Sequence, residues 1–294
     1  MEWYLLAMLS AIFLSAHQII KKRILKNHHS LEFLASVFLL VALFQFVFIS
    51  NVDFASVDLR LFLLIFVRAC LIATGVYLLT RAQRHMEISS VSPLSNISPV
   101  FLLVLSYIFL GERVGLLKIV GVFLIVFGSY FLRIHDHYLD FFFFFKEFSR
   151  AKNKYVVYVF ASLLFLSISA VLSKVILSDI NVYTHMFFSY TFIAVVYLAI
   201  LFIKFNGIKE IEYSFRRARW WVPVLAVLVI LSDFTYFSAV AIPSAMVALV
   251  VPIRRLSSLF STVIGGRMFH EHYLLHKIIS TFVLLAGAFL VIAA

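Results

Sequence analysis

PSAMVALVVPIRRLSSLFSTVIGGR, Pro243 to Arg267, is an apolar run broken near its middle by two adjacent arginines, Arg254 and Arg255. At roughly 25 residues it is long enough to cross a membrane. A charged side chain at the bilayer centre costs roughly 2.5–3.5 kcal/mol on insertion scales, and two cost about twice that unless a polar or anionic group meets them. Residues of this kind face a bundle interior or a water-filled path and mark a substrate site. The arginine pair is therefore the first candidate for function.

The rest of the chain fits a lipid solvent. It is 64% hydrophobic and 13% charged, with a mean hydropathy of +1.06. A soluble domain of this length could not hide so much apolar surface. The first segment is a full apolar helix with an acidic start, so no signal peptide is expected. Cys70 is the single cysteine, which excludes an intrachain disulfide. The formal net charge of +11 would suggest nucleic acid in a soluble protein. Here it is expected to reflect loops held at an anionic cytoplasmic leaflet, with no nucleic-acid partner.

Spans of about 18–25 apolar residues fall at Trp3–Ile20, Leu31–Ser50, Leu61–Thr80, Ile88–Leu110, Gly115–Leu132, Tyr155–Leu177, Tyr183–Ile203, Trp220–Val240, Pro243–Arg267 and Tyr273–Ala293. The expected fold is an all-α polytopic membrane protein of ten transmembrane helices. Trp3, Trp220 and Trp221 stand at segment starts, where interfacial aromatics belong. The connection Arg133–Lys154, with its Phe141–Phe145 run, reads either as a surface amphipathic segment or as a plain linker.

The two groups of five helices read as copies. One shift of 159 positions places Tyr77 on Tyr236, Pro93 on Pro252, Glu112 on Glu271, Lys118 on Lys277 and Gly128 on Gly287. Because five is odd, a tandem copy enters the membrane from the opposite side, which predicts inverted repeats with a site at their interface near the midplane. The domain boundaries are then 1–133 for the first repeat, 134–154 for a cytoplasmic linker and 155–294 for the second. Eighteen loop Lys and Arg residues lie in the connections after odd-numbered helices. Only Arg60, Arg113 and Lys118 lie opposite. That bias predicts both termini outside the cytoplasm.

The stretches SPLSNISPVFLLVLSYIFLGERVGLLKIVGVFLIVFGSYF and VVPIRRLSSLFSTVIGGRMFHEHYLLHKIISTFVLLAGAFLVIA each show a proline-bearing helix, a turn with a glutamate, and a closing helix with a late glycine. In these features the chain resembles the drug/metabolite transporter superfamily, of the EamA type. The resemblance implies a ten-helix inverted-repeat carrier with a central cavity, moving small metabolites by exchange or by coupling to an ion gradient. Two features depart from it. The second turn reads His270–Glu271 where the first reads Gly111–Glu112, and the usual orientation, with cytoplasmic termini, opposes the charge count. The arginine pair is similar to that of the organic-phosphate translocator branch, in which adjacent basic residues hold a phosphate.

Guanidinium presents a planar fork suited to bidentate recognition of carboxylate or phosphate, so Arg254 and Arg255 are expected to receive a substrate anion. Pro252 frees the carbonyl of Ala248, an irregularity tolerated where a helix lines a cavity. Asp233, with Tyr236 one turn on, is the expected counter-ion of the empty carrier; a proton-coupling role and a ligand for a substrate amine are its alternatives. Ser95 and Asn96 align with the arginines and form the polar half of the site, with Tyr77 the counterpart of Tyr236. Lys174, Arg68, His17 and Gln18 are further candidates, Lys174 also being placed to snorkel. Glu112 and Glu271 read as structural, capping the helix that follows.

No catalytic motif appears, and neither a cofactor nor a metal is expected. The expected activity is secondary transport of a small anionic or zwitterionic metabolite in the inner cell membrane. Membrane lipid and a second copy of the chain, in a homodimer, are the other expected partners. The rival readings are a flippase for a phosphate-bearing lipid and a non-transporting subunit or sensor.

Overall fold

A computed structural model describes residues 2–25, 30–85, 94, 95, 97–131, 154–204, 220–257, 259, 260 and 274–293. Among the described residues the chain is helical, with ten α-helices, one in each expected segment. They are α1 (Trp3–Leu25), α2 (Ser30–Gln45, prolonged by a 3-10 turn Phe46–Asn51), α3 (Leu59–His85), α4 (Ser98–Leu110) and α5 (Leu116–Phe131), then α6 (Lys154–Asp179), α7 (Val182–Lys204), α8 (Trp221–Ala241), α9 (Val247–Arg254) and α10 (Leu274–Ala293). Six of them, α1 to α3 and α6 to α8, are long and apolar enough to cross a membrane. Pro93, Asn96, His270, Glu271, the side chain of Lys277 and residues 132–153 lie outside the described residues.

Two expected segments differ from continuous helices. In the fourth, α4 begins at Ser98 with Pro99 in its first turn, where a missing amide is tolerated. In the ninth, Pro243 belongs to the α8–α9 connection. Here α9 runs only from Val247 to Arg254, with Pro252 inside it and Arg255 as its C-cap. The arginines therefore stand where the helix is interrupted, at the end of α9 and just before helical residues resume at Ser257. Past Pro252 the backbone tightens into three-residue steps, with Arg255 N donating to Pro252 O at 2.9 Å and Leu256 N to Ile253 O at 3.0 Å.

Helices pair across the two halves. α1 packs on α8 as α6 packs on α3, and α4 packs on α6 as α9 packs on α1. α2 pairs with α7, α4 with α9, and α5 with α10. Advancing or withdrawing every label by five maps each of these pairings onto another of them, or onto itself. The α5–α10 contact repeats this at the level of residues. A Cβ on Gly128 would meet Leu284 at 2.9–3.0 Å. A Cβ on Gly287, 159 positions later, would meet the backbone N of Ile125, itself 159 positions before Leu284, at 2.8 Å. Contacts matched in this way follow from a two-fold relation between copies. Gly121 faces residues 287, 290 and 291 while Gly128 faces 284, so α5 and α10 run antiparallel. Small residues permit this approach where lipid supplies no hydrophobic drive between helices.

Candidate substrate site

The α8–α9 pair carries the centre of the site. Arg254 Nη2 forms an ion pair with Asp233 Oδ1 and donates to Ser232 Oγ at 2.9 Å. Its guanidinium carbon lies 4.4 Å from the centre of the Tyr236 ring, within cation–π range. The other carboxylate oxygen of Asp233 accepts the hydroxyl proton of Tyr190 on α7. Arg254 and Asp233 keep 18% and 23% of their side-chain surface accessible, whereas Tyr190 and Tyr236 are buried. Arg254 Nε is buried with no hydrogen-bond partner, leaving one donor of the fork unspent.

α1 closes one side. Ser10 Oγ donates to the carbonyl of Ser232 at 2.7 Å, fixing α1 against α8 beside the ion pair. His17 lies within electrostatic range of Lys21, Asp233 and Arg254, and its Nδ1 is buried without a partner. Gln18 is half-buried. Lys21 Nζ donates to Thr80 Oγ1 at 3.1 Å.

Arg68 sits on the far side of Tyr236 and Phe237. It is 2% exposed and donates from Nε to Ser173 Oγ at 2.6 Å and from Nη1 to Ser189 Oγ at 3.0 Å. The Phe237 ring centre is 5.0 Å from its guanidinium carbon. The same ring meets His185 edge to face at 4.8 Å. Both ring nitrogens of His185 are buried and unpartnered. Arg68 also lies within electrostatic range of Tyr190, Tyr236 and Asp233.

Helical rise places this cluster at one level. Tyr190 is about 12 Å from the start of α7, Arg68 about 14 Å from the start of α3, and Asp233 about 12 Å before the end of α8. All three distances run from the ends that join even-numbered connections.

The remaining candidates lie apart from the cluster. Arg255 donates to Ser98 Oγ on α4, so the second arginine reaches into the first half while the first stays in its own. Ser95 is buried on the same segment as Ser98. Tyr77 accepts from Arg81 Nη1 at 3.3 Å, and Arg81 also lies over the Tyr158 ring. Lys174 bonds to three backbone carbonyls, at the end of α8 and in the connection that follows it. Glu112 caps a helix, but not the one that follows it. Its carboxylate accepts from the first amides of α9, in the other half.

Sequence reasoning passed over Tyr190, Ser232, Ser10, Ser98 and His185. A histidine and a tyrosine one residue beyond a helical turn, inside the apolar run of α7, were the available signal. The serines carried none, since a hydroxyl can always return its proton to a carbonyl of its own helix.

Residues 1–134 match the EamA-like transporter family, in agreement with the drug/metabolite transporter resemblance. A protein of known crystal structure superposes over 99% of this chain and 97% of its own, with a TM-score of 0.74 at 11% identity, a likeness of fold. No curated protein sequence matches. With six apolar helices long enough to span, the chain is a multi-pass membrane protein, and its residues 1–134 are similar to EamA-like transporters.

Proposed function

We propose that the chain is a secondary transporter moving a small anionic or zwitterionic metabolite across the cell membrane by alternating access. The observation that carries this reading is the charge balance of the site. Two guanidiniums, Arg254 and Arg68, gather within electrostatic range of one carboxylate, Asp233. An excess cation within the span is costly, and a bound anion offsets it. Arg254 is the receptor of the two, because it remains accessible and holds an unspent Nε. Asp233 is its partner in the empty carrier, displaced or shared when substrate enters. Arg255, bonded to Ser98, holds the halves together at the same helix end.

The matched Gly128–Leu284 and Gly287–Ile125 contacts, on antiparallel helices, support two inverted five-helix repeats. A two-fold axis that relates antiparallel helices lies across them, in the membrane plane. The loop charge bias supports termini outside the cytoplasm. A C-terminal reporter active only in the cytoplasm should then be silent, and strong activity would reverse the orientation.

A second reading has one observation behind it. The direct Arg254–Asp233 ion pair is also what a structural bridge between α8 and α9 would show. Uptake of labelled anions into proteoliposomes decides between them. Arg254→Ala should lose uptake while inserting and folding. A variant that unfolds, and is rescued by adding Asp233→Asn, would make the pair a bridge.

A further inference from the structure

The connection between α8 and α9, Ile242 to Met246, is gripped at both ends by side chains from elsewhere in the chain. Lys174, near the end of α6, sends Nζ to the carbonyls of Val240 at 2.8 Å, Ile242 at 2.8 Å and Ala245 at 2.9 Å. All three donors of the ammonium are spent in this way. The carbonyls that close a helix lack intrahelical partners and carry the negative end of its dipole, so a cation is favoured there. At the other end, Glu112 accepts from the amides of Val247 at 2.8 Å and Ala248 at 3.1 Å. These are the first two residues of α9, where an anion is favoured for the complementary reason. Glu112 stands in the α4–α5 turn just after Gly111, whose φ of 66° ends α4. It is also close enough to Lys174 to act on its charge.

The gripped corner joins the two helices that carry Asp233 and Arg254. It lies at the end of α8 about 12 Å above Asp233, on the side of the even-numbered connections. Each grip comes from outside the two helices that the corner joins. Glu112 comes from the first half, and Lys174 comes from a different helix of the second. A cap serving only local helix stability has no need to cross between halves.

We propose that Glu112 and Lys174 form a latch that holds the α8–α9 corner shut over the Arg254–Asp233 site, and that its release opens this side of the carrier. The proposal rests on the alternating-access reading above. The two-fold relation also makes the latch unequal on the two sides. The position 159 residues before Lys174 is Ser15, whose Oγ is buried without a partner and which brings neither charge nor reach. On the Lys174 side the latch therefore has no counterpart, which favours a resting state closed toward the even-numbered connections.

The test uses the full chain carrying Cys70→Ala and Ala245→Cys, with position 245 serving as a reporter that is 2% exposed in the closed corner. Vesicles of both orientations are treated with a membrane-impermeant maleimide. Labelling from the even-connection side should be slow in this parent. It should be at least about tenfold faster in Lys174→Met and in Glu112→Gln, since tenfold is already the scale for losing a single charge-assisted hydrogen bond. Lys174→Arg, which keeps charge and donors, should return toward the parent rate. Rates within twofold of the parent in both variants, with unchanged thermal unfolding, overturn the latch. If those variants fold poorly, a second measurement leaves both latch residues in place. Arg113→Cys and Met246→Cys, in the Cys70→Ala background, are bridged by a short dithiol-reactive linker. Amide exchange at Val247 and Ala248 should slow at least tenfold, and no slowing overturns the proposal. Neither readout needs a substrate, so a failed latch leaves the anion reading standing, and a failed anion reading leaves the latch standing.

Discussion

Arg254 and Arg68 are two arginines at the same depth, separated by the Tyr236–Phe237 ring pair, and they are held in opposite ways. Arg68 is sealed, with hydroxyl partners on two helices and an aromatic face against it. Arg254 has a carboxylate partner and a ring, yet it stays accessible with one donor unspent. A guanidinium whose hydrogen bonds go to neutral hydroxyls has no anionic partner to exchange. One paired with an accessible carboxylate can exchange that partner for another anion. The difference separates a fixed source of positive potential from a replaceable contact.

The largest expected effect falls on the sealed member. Arg68→Ala leaves a cavity and two buried hydroxyls without their donor, and should lower unfolding stability by about 3 kcal/mol. Arg68→Met fills the space and removes a desolvated charge, so it should stay within about 1 kcal/mol of the parent. Thermal and denaturant unfolding in one detergent check both. Equal losses in the two variants would mean that the charge itself, and not the filled volume, holds α3 in place.

Arg254→Ala should cost less, about 1–2 kcal/mol, because water reaches the space it leaves and Asp233 keeps the Tyr190 hydroxyl. A loss as large as that of Arg68→Ala would erase the contrast between the two arginines. Smaller still is Tyr190→Phe. It removes one hydrogen bond from Asp233 and should destabilise by about 1 kcal/mol, while tightening the grip of Asp233 on Arg254. Anion-dependent stabilisation should accordingly weaken in Tyr190→Phe, and an unchanged response would detach Tyr190 from the site.

The separation of the two arginines also marks the limit of what the chain alone discloses. Arg254, Arg68 and Asp233 are legible because a charge inside an apolar run has nowhere to hide. The common offset of Gly128 and Gly287 is legible as repetition, and the structure adds that they pack in one interface. The end of α9 at Arg254 is not legible, because hydropathy reports that residues 243–267 are apolar and says nothing of where Pro252 breaks the ladder. Lys174 reads as a site candidate until the ends of α8 and α9 are known, since its partners are backbone carbonyls that exist only at that corner. Glu112 is legible as a cap, but which helix it caps depends on how the halves interlock. Ser232 is invisible for a simpler reason: serine hydroxyls occur throughout membrane helices, satisfied by their own backbone.

The central claim is that Arg254 gives up Asp233 for an anion, and a thermal-shift titration of the purified full chain tests it most directly. The ligands are a panel of labelled mono- and dianionic carboxylates and phosphates, screened against the parent, Arg254→Ala and Asp233→Asn. A ligand that binds only the folded protein raises its apparent stability. The account predicts that at least one anion stabilises the parent, that Arg254→Ala abolishes the shift, and that Asp233→Asn preserves or enlarges it. An anion shift that survives Arg254→Ala, or one that vanishes in Asp233→Asn while the protein remains folded, would contradict it.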